Sequence, residues 1–343
     1  MAAPAHHIII GNGVAGNHAA SVLRARAPDD RITIITIGAL LFYDRYQLPQ
    51  VFRGKHDWRA YLVHPPSYYE QSRIAVRRKC RVTHVDAERR VLTLAHREEV
   101  KYDTLLIASG GGGYLPANLI EYRPLFHSFS TFRSAMATAR ALPEQGTVIM
   151  LGGDVLGLDV AYNLVDTGHR VILVPHEQSF WPHKVDPAER PRLLAALRGA
   201  GIEVVDEVPI ERIEAGPAGA PARRVVLADG RELAGDVVMP FYGLAPALDF
   251  IAGSGVDIER GLLVNPELRT TDPHIWAAGD VCQIWSAEDN AYRFYYGWQN
   301  VKAMGEIAAC NMTGANDSFR TFVDETLSVN GEGKLHSSFW DYD

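Results

Sequence analysis

Cysteine is scarce in this chain, with only Cys80, Cys282 and Cys310 among 343 residues. No two stand close enough for a CxxC or CxxxxC pair, which excludes a local redox disulfide and a contiguous iron–sulfur ligand set. Long apolar runs are missing as well; nothing approaches the roughly 18 consecutive apolar residues of a membrane-crossing helix. The start, MAAPAHHIIIGNG, has neither the charged region nor the apolar core of a signal peptide, so reducing cytoplasm is the expected compartment. Positive charge is not in excess: a net charge of -7 argues against general nucleic-acid affinity. The one basic run, RIAVRRKCR at 73–81, reads as a solvated strand edge, with docking of an acidic electron-carrier protein as the alternative. The thirteen histidines show no HExxH or paired spacing, and no metal site is expected.

What is present is the composition of an ordinary globular protein, 47% hydrophobic and 22% charged. Its length suits two or three domains of roughly 100 to 200 residues each. The segment HHIIIGNGVAGNHAASVLRARAPDDRITIITIG reads as strand, glycine turn, helix and strand. Gly11, Gly13 and Gly16 fit GxGxxG, with Val14 and Ala15 opening the helix. The first glycine permits the tight turn, the second lets backbone approach a pyrophosphate, and the third packs helix on strand. One part is lacking: Gly38 stands where an acid would hold the adenosine ribose, which weakens such a site without abolishing it.

The pattern returns in GTVIMLGGDVLGLDVAYNLVDTGHRVILV, with Gly152, Gly153 and Gly157 in the turn but Asp154 at the close-approach position. A carboxylate facing a diphosphate at about 4 Å would cost about 4 kcal/mol at an effective dielectric of 20, unless the side chain turns away or pairs with a cation. After the second strand stands Pro175, with Glu177 as a poor substitute for a ribose-binding acid. The second unit is thus expected to bind a dinucleotide weakly or not at all.

With these two units, the segment YDTLLIASGG and the later ELRTTDPHIWAAGDVCQ, the chain resembles the two-dinucleotide-binding-domain flavoproteins. The resemblance is to the NADH-dependent ferredoxin and rubredoxin reductase branch of the pyridine nucleotide-disulfide oxidoreductase family. It implies an α/β fold of two three-layer, Rossmann-like domains, the second inserted in the first. The FAD-binding domain would be residues 1–112 plus 240–313, the NAD(P)H-binding-like domain 113–239, and 314–343 a truncated C-terminal segment. It also implies that Gly279 and Asp280 meet the ribityl chain of FAD, that Ala108, Ser109 and Gly110 form the crossover beside it, and that Val82 touches adenine through backbone. Arg45, in FYDRYQLP, becomes a flavin contact, Gln50 stands where relatives often carry Lys near the reactive ring, and Trp298 lies near the isoalloxazine. Asp159 matches the acid that relatives place near the nicotinamide. Each has a plainer reading: a core aromatic for Trp298, a surface ion pair for Arg45, a helix cap for Asp280, an exposed helix acid for Asp159.

The implied function is an FAD-dependent oxidoreductase passing electrons between NAD(P)H and a ferredoxin-like iron–sulfur protein. The alternative is an FAD-holding relay or scaffold subunit of a larger complex, with nicotinamide binding weakened or lost. The tail ANDSFRTFVDETLSVNGEGKLHSSFWDYD is expected to form a hairpin around Asn330–Gly331, its aromatic and acidic end either docking on a partner subunit or completing the fold.

Overall fold

The structure is a computed structural model, and it describes residues 3–216, 222–321 and 325–340. Two parallel sheets organise the α/β chain. The first has five strands in the order Ile275–Ala277, Thr104–Ile107, His6–Ile10, Arg31–Ile35 and Ile74–Arg77. Its members come from both ends of the sequence, because Ile275–Ala277 pairs in parallel with Thr104–Ile107. These strands are near-continuous apolar runs, as a sheet covered on both faces requires. One covering layer is the pair of helices Val14–Arg26 and Trp298–Met312. They meet at backbone distance: a Cβ on Gly305 would lie 2.3 Å from Ala15 O, so only glycine fits that crossing.

The second sheet orders Glu203–Val204, Arg170–Pro175, Thr147–Gly152 and Val237–Phe241, all parallel. The helix Val155–Asp166 follows Thr147–Gly152 and buries Leu158, Val160, Ala161 and Leu164. The antiparallel strands Ile210–Ala215, Arg223–Leu227 and Glu232–Gly235 flank this sheet. The Asp229–Gly230 turn joins the last two, as the Asp–Gly signal predicts. The connection between the two sheets is a short antiparallel pair, Gly111–Gly113 with Leu244–Pro246. No described helix is long and apolar enough to cross a membrane.

The C-terminal segment forms the expected hairpin, Leu327–Val329 with Leu335–Ser337, closed by Asn330 N donating to Lys334 O at 2.8 Å. Its aromatic end folds onto its own chain. Trp340 Nε1 donates to Val155 O at 3.0 Å, and its ring meets Tyr162 edge-on at 5.9 Å. Phe339 is buried beside His183 and Gly297. Those two aromatics therefore pack against their own chain. The acids at 341 and 343 lie outside the described residues.

Candidate functional site: two glycine turns

The first turn is built as a cradle. Gly11 has φ +119°, and a Cβ there would stand 2.0 Å from Ala108 O. A Cβ on Gly16 would stand 2.2 Å from Gly11 O. Both glycines are required by backbone crossings. Gly13 is different, with no atom within 4 Å of its Cβ position. That open side faces the start of Val14–Arg26, whose N-terminus no side chain caps. The first amides of a helix have no intrahelical acceptor, so an uncapped, accessible N-terminus offers donors and a positive dipole end to a phosphate. The residues present fit the diphosphate of FAD.

The late Gly–Asp pair closes the same cradle. Gly279 has φ +83°, its Cβ position 3.7 Å from Ala15 Cβ, and its N–H donates to Met304 Sδ at 3.2 Å. Burial pushes the Asp280 carboxyl up to about 6, with the Arg45 charge pulling the other way. Tyr46, Tyr296 and the buried Cys282 feel the Asp280 charge in turn, each raised by burial and then by that acid. Arg45 lies near enough for its charge to act on Asp280, with its guanidinium 5.5 Å from the centre of the Tyr43 ring. Trp298, the first residue of its helix, stacks on Phe42 at 6.2 Å and meets Tyr46 edge-on at 5.7 Å. The FYDRY segment and the last helix therefore meet through a cluster of aromatics.

The crossover segment is tied to its returning partner. Ser109 Oγ donates to Ala247 O at 3.3 Å, and Ala247 N donates to Gly110 O at 3.2 Å. The Ser109 hydroxyl fastens the crossover within this chain. Val82 is buried in the core at the start of strand Val82–Asp86, where it pairs with Leu94. Gln50 lies half-buried on the turn Leu48–Arg53, which packs on Val155–Asp166.

The second turn has the same glycines for packing reasons. A Cβ on Gly152 would meet Phe241 O at 2.2 Å, and one on Gly157 the Phe241 ring at 2.5 Å. Gly153 adopts φ +93°. Asp154 does not face the space above the turn as a repelling charge. It is buried and caps its own helix, Oδ1 accepting from Gly157 N at 2.8 Å and Oδ2 from Gly243 N at 2.7 Å. Burial pushes its carboxyl up to about 6, against the pull of amide bonds from Gly157, Gly243 and Leu156. The expected repulsion is replaced by an internal capture, because two donors stand within reach of the inward rotamer.

Asp159 is half-buried on the same helix. Desolvation raises it to about 6, and it accepts from Asn163 Nδ2 at 3.3 Å. Glu177 stands exposed on the rim of a cleft of about 250 Å³ at the end of strand Arg170–Pro175. Pro116, Val174, Pro175, His176 and Tyr242 line the cleft beside it. Ligands of parallel α/β sheets bind at the carboxyl ends of the strands, where this recess lies. Glu207, also on the rim, is held by Arg190 at 3.1 Å.

Sequence reasoning passed over three participants. Gly243, Trp181 and Tyr296 belong to no glycine motif, yet Trp181 lies on Gly243, whose Cβ would come within 2.7 Å of the indole, and meets Tyr296 at 4.6 Å. The aromatic run FYYGW at 294–298 was the available signal for Tyr296.

Comparison with known proteins agrees with this layout. The chain is 27% identical over 272 residues to the NADH-dependent phenylglyoxylate dehydrogenase subunit epsilon of Aromatoleum evansii, covering 79% of this chain and 64% of that subunit, just under two thirds of its length. It is 25% identical over 275 residues to the rubredoxin-NAD(+) reductase of Pseudomonas putida, covering 80% of this chain and 71% of that one. The fold matches the reductase in a crystal structure of a covalent putidaredoxin reductase–putidaredoxin complex, with TM-score 0.82 and 22% identity over 95% of this chain and 78% of that one. The family model described as pyridine nucleotide-disulphide oxidoreductase matches residues 5–303, and the chain belongs to that family.

Proposed function

We propose that the chain is an FAD-dependent oxidoreductase that passes electrons between NAD(P)H, in the form of NADH, and an iron–sulfur carrier protein. The observation that carries this reading is the open first turn: an uncapped helix N-terminus over Gly13, closed by Gly279 and Asp280. FAD held there would supply the chemistry that joins two-electron nicotinamide oxidation to single-electron delivery. The protein's part is placement. Gly11, Gly13, Val14, Ala15 and Gly16 supply a close backbone and amide donors, Asp280 offers an acceptor, and Phe42, Tyr46 and Trp298 exclude water. Asp159 holds its place on the helix of the second unit. No side-chain nucleophile is needed for transfer between stacked rings.

Two features favour NADH over NADPH. Glu177 sets a negative charge on the rim of the recess, where a 2′-phosphate would be repelled, and Arg190 is engaged by Glu207 and His176 O. The rubredoxin reductase relative supports an iron–sulfur carrier as acceptor. The division into 1–112 plus 240–313, 113–239 and 314–343 is part of the proposal, supported by the Gly111–Gly113 and Leu244–Pro246 pair at the junction. The three cysteines are free, in keeping with a reducing cytoplasm.

A second reading has one specific observation in its favour: the first-mentioned relative is a subunit of a dehydrogenase, and the second turn here is closed from within. The chain would then relay electrons between protein partners in a hetero-oligomeric complex, with the C-terminal hairpin offering a strand edge for assembly. Anaerobic addition of NADH to the purified flavoprotein separates the two. Rapid loss of the visible flavin band supports the oxidoreductase, whereas loss only with dithionite or a reduced protein donor supports the relay.

A further inference from the structure

The two glycine turns differ in what their amides are doing. In the second, Gly153 N and Asp154 N both donate to Phe241 O, at 2.8 and 3.1 Å, and Val155 N donates to Trp181 O at 2.9 Å. Gly157 N and Gly243 N donate to the two oxygens of Asp154. Apart from Gly243 N, which comes from the segment after strand Val237–Phe241, these are the backbone groups that a helix N-terminus and its turn ordinarily present to a phosphate. Here each has a partner inside the chain, and two of them serve an anion that the chain itself supplies. The Trp181 indole, pressed on Gly243, roofs the same place. In the first turn no side chain caps the helix and the space over Gly13 is open.

We infer that Asp154 sets the affinity of the nicotinamide-nucleotide site by standing in for the pyrophosphate, so that binding energy comes from the adenosine moiety in the recess beside Glu177. This rests on the reading of the second unit as a nucleotide site. Amide bonds to a carboxylate belong to the strong, charge-assisted class. An incoming diphosphate would have to displace Asp154 from both donors and share a buried region with its charge. The adenosine recess, opening at the end of strand Arg170–Pro175, needs neither change.

The test compares adenosine with ADP-ribose on the FAD-loaded protein by isothermal titration calorimetry. Wild type is expected to bind the two within about threefold of each other. Asp154→Gly is expected to tighten ADP-ribose by about tenfold or more and leave adenosine unchanged. Should that variant fail to fold, Asp154→Ser keeps a capping oxygen for Gly157 N while releasing Gly243 N, and is expected to shift the ratio in the same direction. Wild-type preference for ADP-ribose by about a hundredfold would overturn the inference, as would a ratio unchanged by either substitution or absence of binding by every protein. The reading beneath is judged separately: if NADH reduces the flavin while the ratio stays large, only the role of Asp154 falls.

Discussion

Gly243 donates its N–H to Asp154 Oδ2 at 2.7 Å, joining residues 89 positions apart. The second glycine turn is thereby fastened to the point where the chain heads back toward the first sheet. Asp154 is both the helix cap and this tie, so its removal has two costs.

Asp154→Ala should destabilise the protein by about 2 kcal/mol, combining loss of an N-cap with a buried, unsatisfied amide. Asp154→Asn keeps one acceptor and should cost less. Urea unfolding followed by circular dichroism measures both, and an unchanged midpoint for Asp154→Ala would contradict the tie.

Gly11→Ala places a Cβ 2.0 Å from Ala108 O at a backbone angle of +119°. The strand end must move, and the crossover with it. The variant should be purified with less than about a tenth of the wild-type flavin, a loss in FAD affinity of more than about 1.4 kcal/mol. Gly54→Ala, where no atom lies within 4 Å although φ is +82°, should retain its flavin.

Asp159 gives stability a pH dependence. Burial raises its carboxyl from 3.8 to about 6 in the folded protein, so the folded state holds the proton more tightly than the unfolded one. The resulting stabilisation is complete below the unfolded value, near pH 4, and is lost as the pH rises through about 6. Asp159→Asn should match wild type at low pH and exceed its stability at pH 8 by on the order of 1 kcal/mol, after allowance for partial solvent contact. Denaturation midpoints across that range test this; Asp154, Asp280 and Glu325, raised by burial in the same way, contribute to the slope that remains.

Coenzyme choice should follow the charge at the recess. NADH is expected to outcompete NADPH by about tenfold in stopped-flow reduction of the flavin, and Glu177→Arg should narrow or reverse that ratio. An NADPH preference in wild type would count against the placement of Glu177.

Trp340 pins the C-terminal hairpin to the start of the helix that Asp154 caps. Trp340→Ala should accelerate amide exchange in residues 325–340 by about tenfold or more while leaving the first sheet protected. Equal exchange in both proteins would show that the hairpin is held by other contacts.

Much of this was legible in the sequence. The two strand–turn–helix–strand units follow from glycine spacing and apolar runs, and Gly16 answers a local need, its Cβ position meeting Gly11 O, whereas the crossing that demands Gly11 comes from Ala108, 97 residues on. The hairpins at Asp229–Gly230 and Asn330–Gly331 are local in the same sense. What the residues alone could not show was direction. The side chain of Asp154 turns inward because Gly243 offers a donor from a distant strand, and Trp340 folds back to a carbonyl 185 residues earlier. Neither partner has a motif. The resemblance placed Arg45, Asp280 and Trp298 about one cleft, but their aromatic setting of Phe42, Tyr46 and Tyr296 emerges only when the segments converge.

Flavin stoichiometry tests the central claim most directly. Protein purified in the dark, denatured and analysed by chromatography should release FAD close to one per chain, or take it up to that level on reconstitution. A chain that releases none and cannot be loaded would show that the first glycine turn and Asp280 do not enclose a flavin nucleotide.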